Sequence, residues 1–358
     1  MQQAEPRILV IGCGGIGGVV AAHLAELGLP VAAVSRNREV VEAVRSQGFR
    51  LVGEGGRRSV PGQVHATVPA EAGPFDWVLL ATQPTDVESA ARQAAPYLSP
   101  RARVVCFQNG LCEERVAQIL GPEVPVIGGI VAWGATMVEP GVFDRTSSGG
   151  FSIGRLDGEA DPALAQLATW LEAIGPVQQT GNLTGARWSK LALNCTTSAL
   201  STLSGERLGT LVRERYIRRL ALEVMSEVVE VARRARVRLE KVAGTLDLEW
   251  IALSEEERRQ RGSLALASKH AMLLAVGMRY RRLRSSMLRA IERGSAPPID
   301  FLNGEIVARA KRLEVPVPLN AAICDAVWRI SRRELVPGRA VLAELFAQSR
   351  GAGSSPAL

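Results

Sequence analysis

Lys190, Asn194 and Ser198 stand four residues apart, which places an ammonium, an amide and a hydroxyl on one face of a helix. Their neighbours Leu191, Ala192, Leu193, Ala199 and Leu200 are apolar or small, so the polar stripe must find partners. A ligand-filled cleft would supply them; solvent or a neighbouring helix would serve as well. Lys190 is one of four lysines among 43 basic residues. Where arginine is the rule, a retained lysine points to something a guanidinium cannot do. Arginine does not release a proton at physiological pH, whereas an ammonium can be tuned to donate one. The chemistry suggested for Lys190 is general acid catalysis.

A second group of residues lies near the N-terminus. Gly12-Cys13-Gly14-Gly15-Ile16-Gly17 matches G-x-G-x-x-G directly after an apolar run and at the start of a helical pattern. The first glycine permits the tight turn, the second lets backbone approach a pyrophosphate, and the third allows close helix–strand packing. The phosphates then meet free N–H groups at a helix N-terminus. At the end of the next strand, Ser35-Arg36-Asn37-Arg38 carries no acid for a ribose 2′-hydroxyl. Arg36 would instead grip a 2′-phosphate, favouring NADP over NAD; the alternative is an exposed loop arginine. Gln108-Asn109-Gly110 follows a further strand, at the carboxyl edge where such sheets bind ligands. Asn109 there is either a ligand contact or part of an Asn-Gly turn.

These residues need a scaffold, and the pattern predicts two domains. Strands are expected at Ile8–Ile11, Val31–Val34, Trp77–Ala81, Arg103–Phe107, Val126–Val131 and Val177–Thr180. Helical patterns at Gly17–Leu27, Glu39–Gln47, Thr85–Ala95 and 161–174 alternate with them, which is the signature of a parallel α/β sheet. Gly141–Ile153 reads as a β-hairpin closing this domain. Residues 1–180 form the expected dinucleotide-binding Rossmann domain, with turn chemistry at Gly181–Gly185 as its boundary. Residues 185–345 read as helical throughout, with helices from near Ala186, over Arg213–Arg238, Lys269–Arg293 and Phe301–Leu313. Asp300 would cap the last of these. Thr245–Gly262 reads as an insertion or a helix-loop-helix. Residues 346–358 are expected to be a disordered tail.

Bulk composition narrows the function classes. The chain has 358 residues, 47% hydrophobic and 22% charged, as in ordinary globular proteins. Five cysteines without paired or metal-ligand spacing read as reduced thiols of a cytoplasmic protein, and three scattered histidines offer no metal site. Neither a signal peptide nor a membrane span is visible. The net charge of +7 comes with only 4% aromatics and no recognition motif, so nucleic acid is not the expected partner. An anionic cofactor suits such a surface.

Taken in order, the fingerprint at Gly12–Gly17, Gln108-Asn109-Gly110, Glu139-Pro140-Gly141, Trp188-x-Lys190-x-x-x-Asn194, Ser285-Ser286-Met287 and Ile299-Asp300-x-x-Asn303-Gly304 resemble the ketopantoate reductase (2-dehydropantoate 2-reductase) family over nearly the whole chain. The resemblance implies an N-terminal Rossmann domain, a C-terminal domain of 6-phosphogluconate-dehydrogenase-like helices, and an active site between them. It implies NADPH-dependent reduction of 2-dehydropantoate to pantoate in pantothenate biosynthesis, with Lys190 as general acid. Asn109, Asn194, Ser198 and Ser286 would contact the substrate. Gly12, Cys13, Gly14, Gly15, Ile16, Gly17, Arg36, Gln83, Asn109 and Ala135 would hold the cofactor, with no metal. A homodimer is compatible with it.

The sequence also departs from the family. Pro298 stands where a glutamate is usual, Gln83 where a lysine is common, and Ser198 and Leu208 where asparagines are often found. Leu283-Arg284 replaces an asparagine before the serine pair. Two alternatives therefore stand beside the first reading: a reductase of a different 2-keto acid, and a non-catalytic NADPH-binding sensor. Intact Lys190 and Asn194 argue against the sensor, which needs no acid.

Overall fold

Short runs rich in β-branched residues, such as Ile8–Ile11 and Val126–Val131, bury every side chain, as strands covered on both faces require. The computed structural model describes residues 5–241, 246–260, 262–279, 281 and 284–351. The chain divides into two units between Leu183 and Thr184.

The N-terminal unit contains strands β1 (Ile8–Ile11), β2 (Val31–Val34), β3 (Phe49–Gly53), β4 (Arg58–Val60), β5 (Gln63–His65), β6 (Phe75–Leu80), β7 (Leu98–Cys106), β8 (Val126–Val131), β9 (Ala135–Glu139), β10 (Val142–Arg145), β11 (Phe151–Arg155) and β12 (Val177–Gln179). Its helices are α1 (Gly15–Glu26), α2 (Arg38–Gln47), α3 (Val87–Ala94), α4 (Cys112–Leu120) and α5 (Ala163–Glu172). The main sheet has the order β12-β11-β8-β7-β6-β1-β2-β5. Strand β1 runs parallel to both β2 and β6, so the chain order reverses beside it, and only β11 on β8 is antiparallel. This is a doubly wound sheet whose ligand edge lies beyond the carboxyl ends of β1, β2, β6 and β7.

A second sheet, β4-β3-β10-β9, covers α1 from the other side. That cover explains why Val19, Val20, Ala21, Ala22 and Leu24 are all buried on a helix with no polar face. Gly18 makes the approach possible, since a Cβ there would come within 2.2 Å of the Phe143 ring of β10. The hairpin expected at Gly141–Ile153 is displaced: β9 pairs antiparallel with β10 in the small sheet, while Phe151–Ile153 opens β11 of the main sheet. Strands β3, β4 and β5 lie in a region from which no strand was expected.

The C-terminal unit is built from α6 (Leu183–Ser204), α7 (Leu208–Leu211), α8 (Arg215–Arg234), α9 (Leu248–Ile251), α10 (Glu255–Arg259), α11 (Leu264–Arg279), α12 (Ser286–Glu292), α13 (Asn303–Leu313), α14 (Pro318–Ser331) and α15 (Arg339–Gly351). Helix α8 presents Val224, Met225, Val228, Val229 and Ala232 to the core and Arg215, Arg233 and Arg234 to solvent, while Arg219 is buried. Helices α9 and α10 supply the helix-loop-helix expected near 245–262. The single helix expected over Lys269–Arg293 is two helices, because Ser285 caps a new start and accepts the Leu288 N–H at 3.4 Å. Asp300 does not cap α13; it accepts the Trp328 indole N–H at 3.0 Å, and the helix begins at Asn303. Residues 346–351 belong to α15 and not to the tail expected from 346, and 352–358 lie outside the described residues. Among the described residues no helix is long and apolar enough to cross a membrane.

Candidate active site

The glycine fingerprint is a set of close backbone approaches at the carboxyl end of β1. Gly12 has φ +103°, and a Cβ there would meet the Thr82 nitrogen at 2.6 Å. A Cβ on Gly17 would meet the Gly12 carbonyl oxygen at 1.8 Å and the Ala81 Cβ at 2.9 Å. Gly15 lies under Ala135, the first residue of β9, whose carbonyl a Cβ would reach at 2.7 Å. Gly14 is different: nothing stands within 4 Å of where its Cβ would be. Gly14 is also the N-cap of α1, no side chain caps the helix, and its first turn carries no acid. Open space over a helix N-terminus without its own carboxylate fits a dinucleotide pyrophosphate. Cys13 is buried, and burial pushes its thiol up to about 12.

Arg36 stands just beyond β2 with its side chain 79% exposed, and its Nη2 donates to the Asp86 carboxylate at 2.7 Å. The sequence reading missed Asp86, which lies in the turn after β6. Gln83 is exposed at the start of that turn. At the end of β7, buried Gln108 donates to the Thr82 hydroxyl at 3.3 Å, while Asn109 is exposed and its carbonyl accepts from the Cys112 thiol. Gly110 turns the chain with φ +94°. Gly12–Gly17, Thr82, Gln83, Asn109 and Ala135 thus gather at one edge of the sheet, with Arg36 beside them.

In the C-terminal unit, Lys190, Asn194 and Ser198 are half-buried along one face of α6. The Asn194 Nδ2 is a buried donor with no hydrogen-bond partner among the described residues. An orphan donor of this kind costs about 1–3 kcal/mol unless something accepts from it. The stripe runs one step further than expected: Thr202 follows at the same spacing, and its hydroxyl lies 2.8 Å from that of buried Ser285. That bond ties α6 to the start of α12, where Ser286 is the exposed first residue.

Behind α6 lies a buried polar chain. Asn303 Nδ2 donates to the Cys195 carbonyl at 3.0 Å and to Asn320 Oδ1 at 2.9 Å. Asn320 Nδ2 in turn donates to the Glu227 carboxylate at 2.7 Å, and that carboxylate also accepts the N–H groups of Leu319 and Asn320. Burial pushes the Glu227 carboxyl up, against these donors. Asn303 therefore positions the helix that bears Lys190. No spacing signal in the sequence pointed to Glu227 or Asn320. Among the described residues no cluster of ligating side chains could hold a metal ion.

Comparison with known proteins matches both units. The family model described as "Ketopantoate reductase PanE/ApbA" matches residues 8–158, and its C-terminal counterpart matches residues 182–331. The 2-dehydropantoate 2-reductase of Halobacterium salinarum is 27% identical over 331 residues, covering 92% of this chain and 99% of its own. That of Pyrococcus horikoshii is 25% identical over 315 residues, covering 88% and 94%. The crystal structure of a PanE/ApbA family ketopantoate reductase from Ralstonia eutropha superposes with a TM-score of 0.76 at 27% identity, over 91% of this chain and 99% of that one. A D-mandelate dehydrogenase solved with NADH shares the fold at a TM-score of 0.72 and 18% identity, over 95% and 99%.

Proposed function

The chain belongs to the ketopantoate reductase family, and from that premise we propose that it is an NADPH-dependent oxidoreductase reducing 2-dehydropantoate to pantoate. The relatives named for that reaction span nearly the full length of this chain. NADPH, when bound, supplies the hydride that adds to the C2 ketone. The N-terminus of α1, open over Gly14, holds the pyrophosphate, and Arg36 grips the 2′-phosphate with Asp86 orienting its guanidinium. Gln83, Asn109 and Ala135 line the same edge. Lys190 donates its proton to the oxygen on which negative charge develops, and Asn194 Nδ2 donates a hydrogen bond to the substrate. Ser198 and Ser286 complete the substrate contacts. Free thiols at all five cysteines suit action in the reducing cytoplasm.

The observation that carries this reading is the unpartnered Asn194 donor one helical turn from Lys190. The test is NADPH oxidation with 2-dehydropantoate by the wild type and Lys190→Ala. The expected loss in kcat is ~10²–10⁴, the range for removing a general acid, with NADPH affinity by fluorescence titration unchanged. Full activity in Lys190→Ala would remove the mechanism. A preference for NADH would contradict the role of Arg36.

A second reading, reduction of a different 2-keto acid, is favoured by Leu208. This residue is buried at the start of α7, at a position where the family often carries an asparagine.

A further inference from the structure

We infer that Thr202 is a positioning residue for substrate binding: through a hydroxyl pair with Ser285 it fixes where Ser286 stands. The inference rests on the reading of Ser286 as a substrate contact, and it adds a residue that itself touches no substrate. Thr202 lies four residues beyond Ser198 on the polar stripe of α6 and is buried. Its Oγ1 donates its one proton to the Ser198 carbonyl at 2.8 Å. The Ser285 hydroxyl, 2.8 Å from the same Oγ1, is therefore the donor in that pair. Ser285 Oγ keeps its lone pairs for the Leu288 N–H. These groups form one directed chain, from the Leu288 N–H through Ser285 and Thr202 to the Ser198 carbonyl.

The start of α12 depends on this chain more than on its own backbone. The helix has seven residues, too few for its first turn to hold by itself. Its cap bond to Leu288 and its first backbone bond, from the Arg289 N–H to the Ser285 carbonyl, are both 3.4 Å long. The bond from Ser285 to Thr202 is shorter and, with both residues buried, is closed to competing water. Exposed Ser286 thus projects between two fixed neighbours, Ser285 and buried Met287. Thr202 suits an anchor, because β-branching and the bond back to Ser198 hold its side chain in one rotamer. Without that hydroxyl, Ser285 becomes a buried donor lacking an acceptor. It then turns to find one, gives up the Leu288 N–H, and carries Ser286 with it.

Thr202→Val keeps the shape of the side chain and removes the hydroxyl; the test is steady-state reduction of 2-dehydropantoate at saturating NADPH. The expected KM for 2-dehydropantoate rises about three- to tenfold, the worth of one neutral hydrogen bond, while kcat stays within about twofold of wild type. NADPH affinity by fluorescence titration should not change. Thr202→Ser, which keeps the hydroxyl, should restore the KM. In a Ser286→Ala background Thr202→Val should add nothing, because the contact that it positions is gone. A tie that only supports the fold would lower the urea midpoint and the active fraction while leaving KM in place, and that result would overturn the proposal. An equal rise in KM with and without the Ser286 hydroxyl would overturn it too. Should Thr202→Val not fold, Ser285→Ala breaks the same bond from the α12 side and must raise the same KM. Ser286→Ala with a wild-type KM would take both Ser286 and Thr202 out of substrate binding and leave the Lys190 mechanism standing. No turnover of 2-dehydropantoate by the wild type would remove that mechanism as well.

Discussion

At the scale of single residues, the glycines of the fingerprint separate into different jobs. Gly17 is a packing glycine: its Cβ position lies 1.8 Å from the Gly12 carbonyl oxygen, which is backbone and cannot yield. Gly14 has open space instead. Gly17→Ala should therefore destabilise the N-terminal unit, seen as a lower urea midpoint, whereas Gly14→Ala should leave that midpoint unchanged and still weaken NADPH binding by an order of magnitude or more. Equal loss of stability in both variants would mean that Gly14 serves the turn and not the ligand. Lysine scarcity needs a similar separation. Lys269 is also a retained lysine, yet it lies buried with Nζ 2.6 Å from Glu257 and 2.8 Å from the Ala252 carbonyl. Its work is structural. What marks Lys190 is the company of Asn194, not rarity alone.

At the scale of elements, α11 carries a pH-dependent cost. His270 is buried on it, and its Nδ1 has no hydrogen-bond partner among the described residues. Burial, aided by Arg218, Arg215 and Arg219, lowers its pKa from 6.5 to about 4. The unfolded chain thus takes up the proton first, and the neutral histidine's contribution, full above pH 6.5, is lost as pH falls from 6.5 to about 4. The urea midpoint of the wild type should drop between pH 7.5 and 4.5 by more than that of His270→Gln; parallel drops would show that His270 does not titrate in this way. Elements also show what the sequence discloses. The buried strands β1, β2, β6 and β8 and the helix of Lys190 were legible because period and composition announce them. Strands β3 and β4 were not, because Arg50, Arg57 and Arg58 interrupt short runs, and the strand that joins their hairpin to the rest of the small sheet, β10, pairs with β3 from about 90 residues away. The start of α12 was hidden for another reason: a serine cap inside an otherwise helical pattern looks like one more polar residue. Asp86 escaped notice because its tie to Arg36 spans fifty residues of sequence.

At the scale of the whole molecule, two units with separate cores make a single melting temperature a poor measure of ligand binding. Site-resolved hydrogen exchange is the better one. Every segment assigned to the cofactor lies in the N-terminal unit, so NADPH should slow exchange of the most protected amides in β1, β6 and β7 by the linkage factor, about 100-fold when NADPH exceeds its Kd by 100-fold. Lys190→Ala should show the same slowing, because the role proposed for Lys190 is on the substrate carbonyl and not on the cofactor. The net charge of +7 adds a second expectation in the same experiment. Raising salt screens the attraction between a basic protein and a polyanionic cofactor, so the slowing at fixed NADPH should shrink as salt rises. Loss of the slowing in Lys190→Ala would move that lysine from substrate to cofactor. Absence of slowing in the wild type would take the fingerprint itself out of the active site.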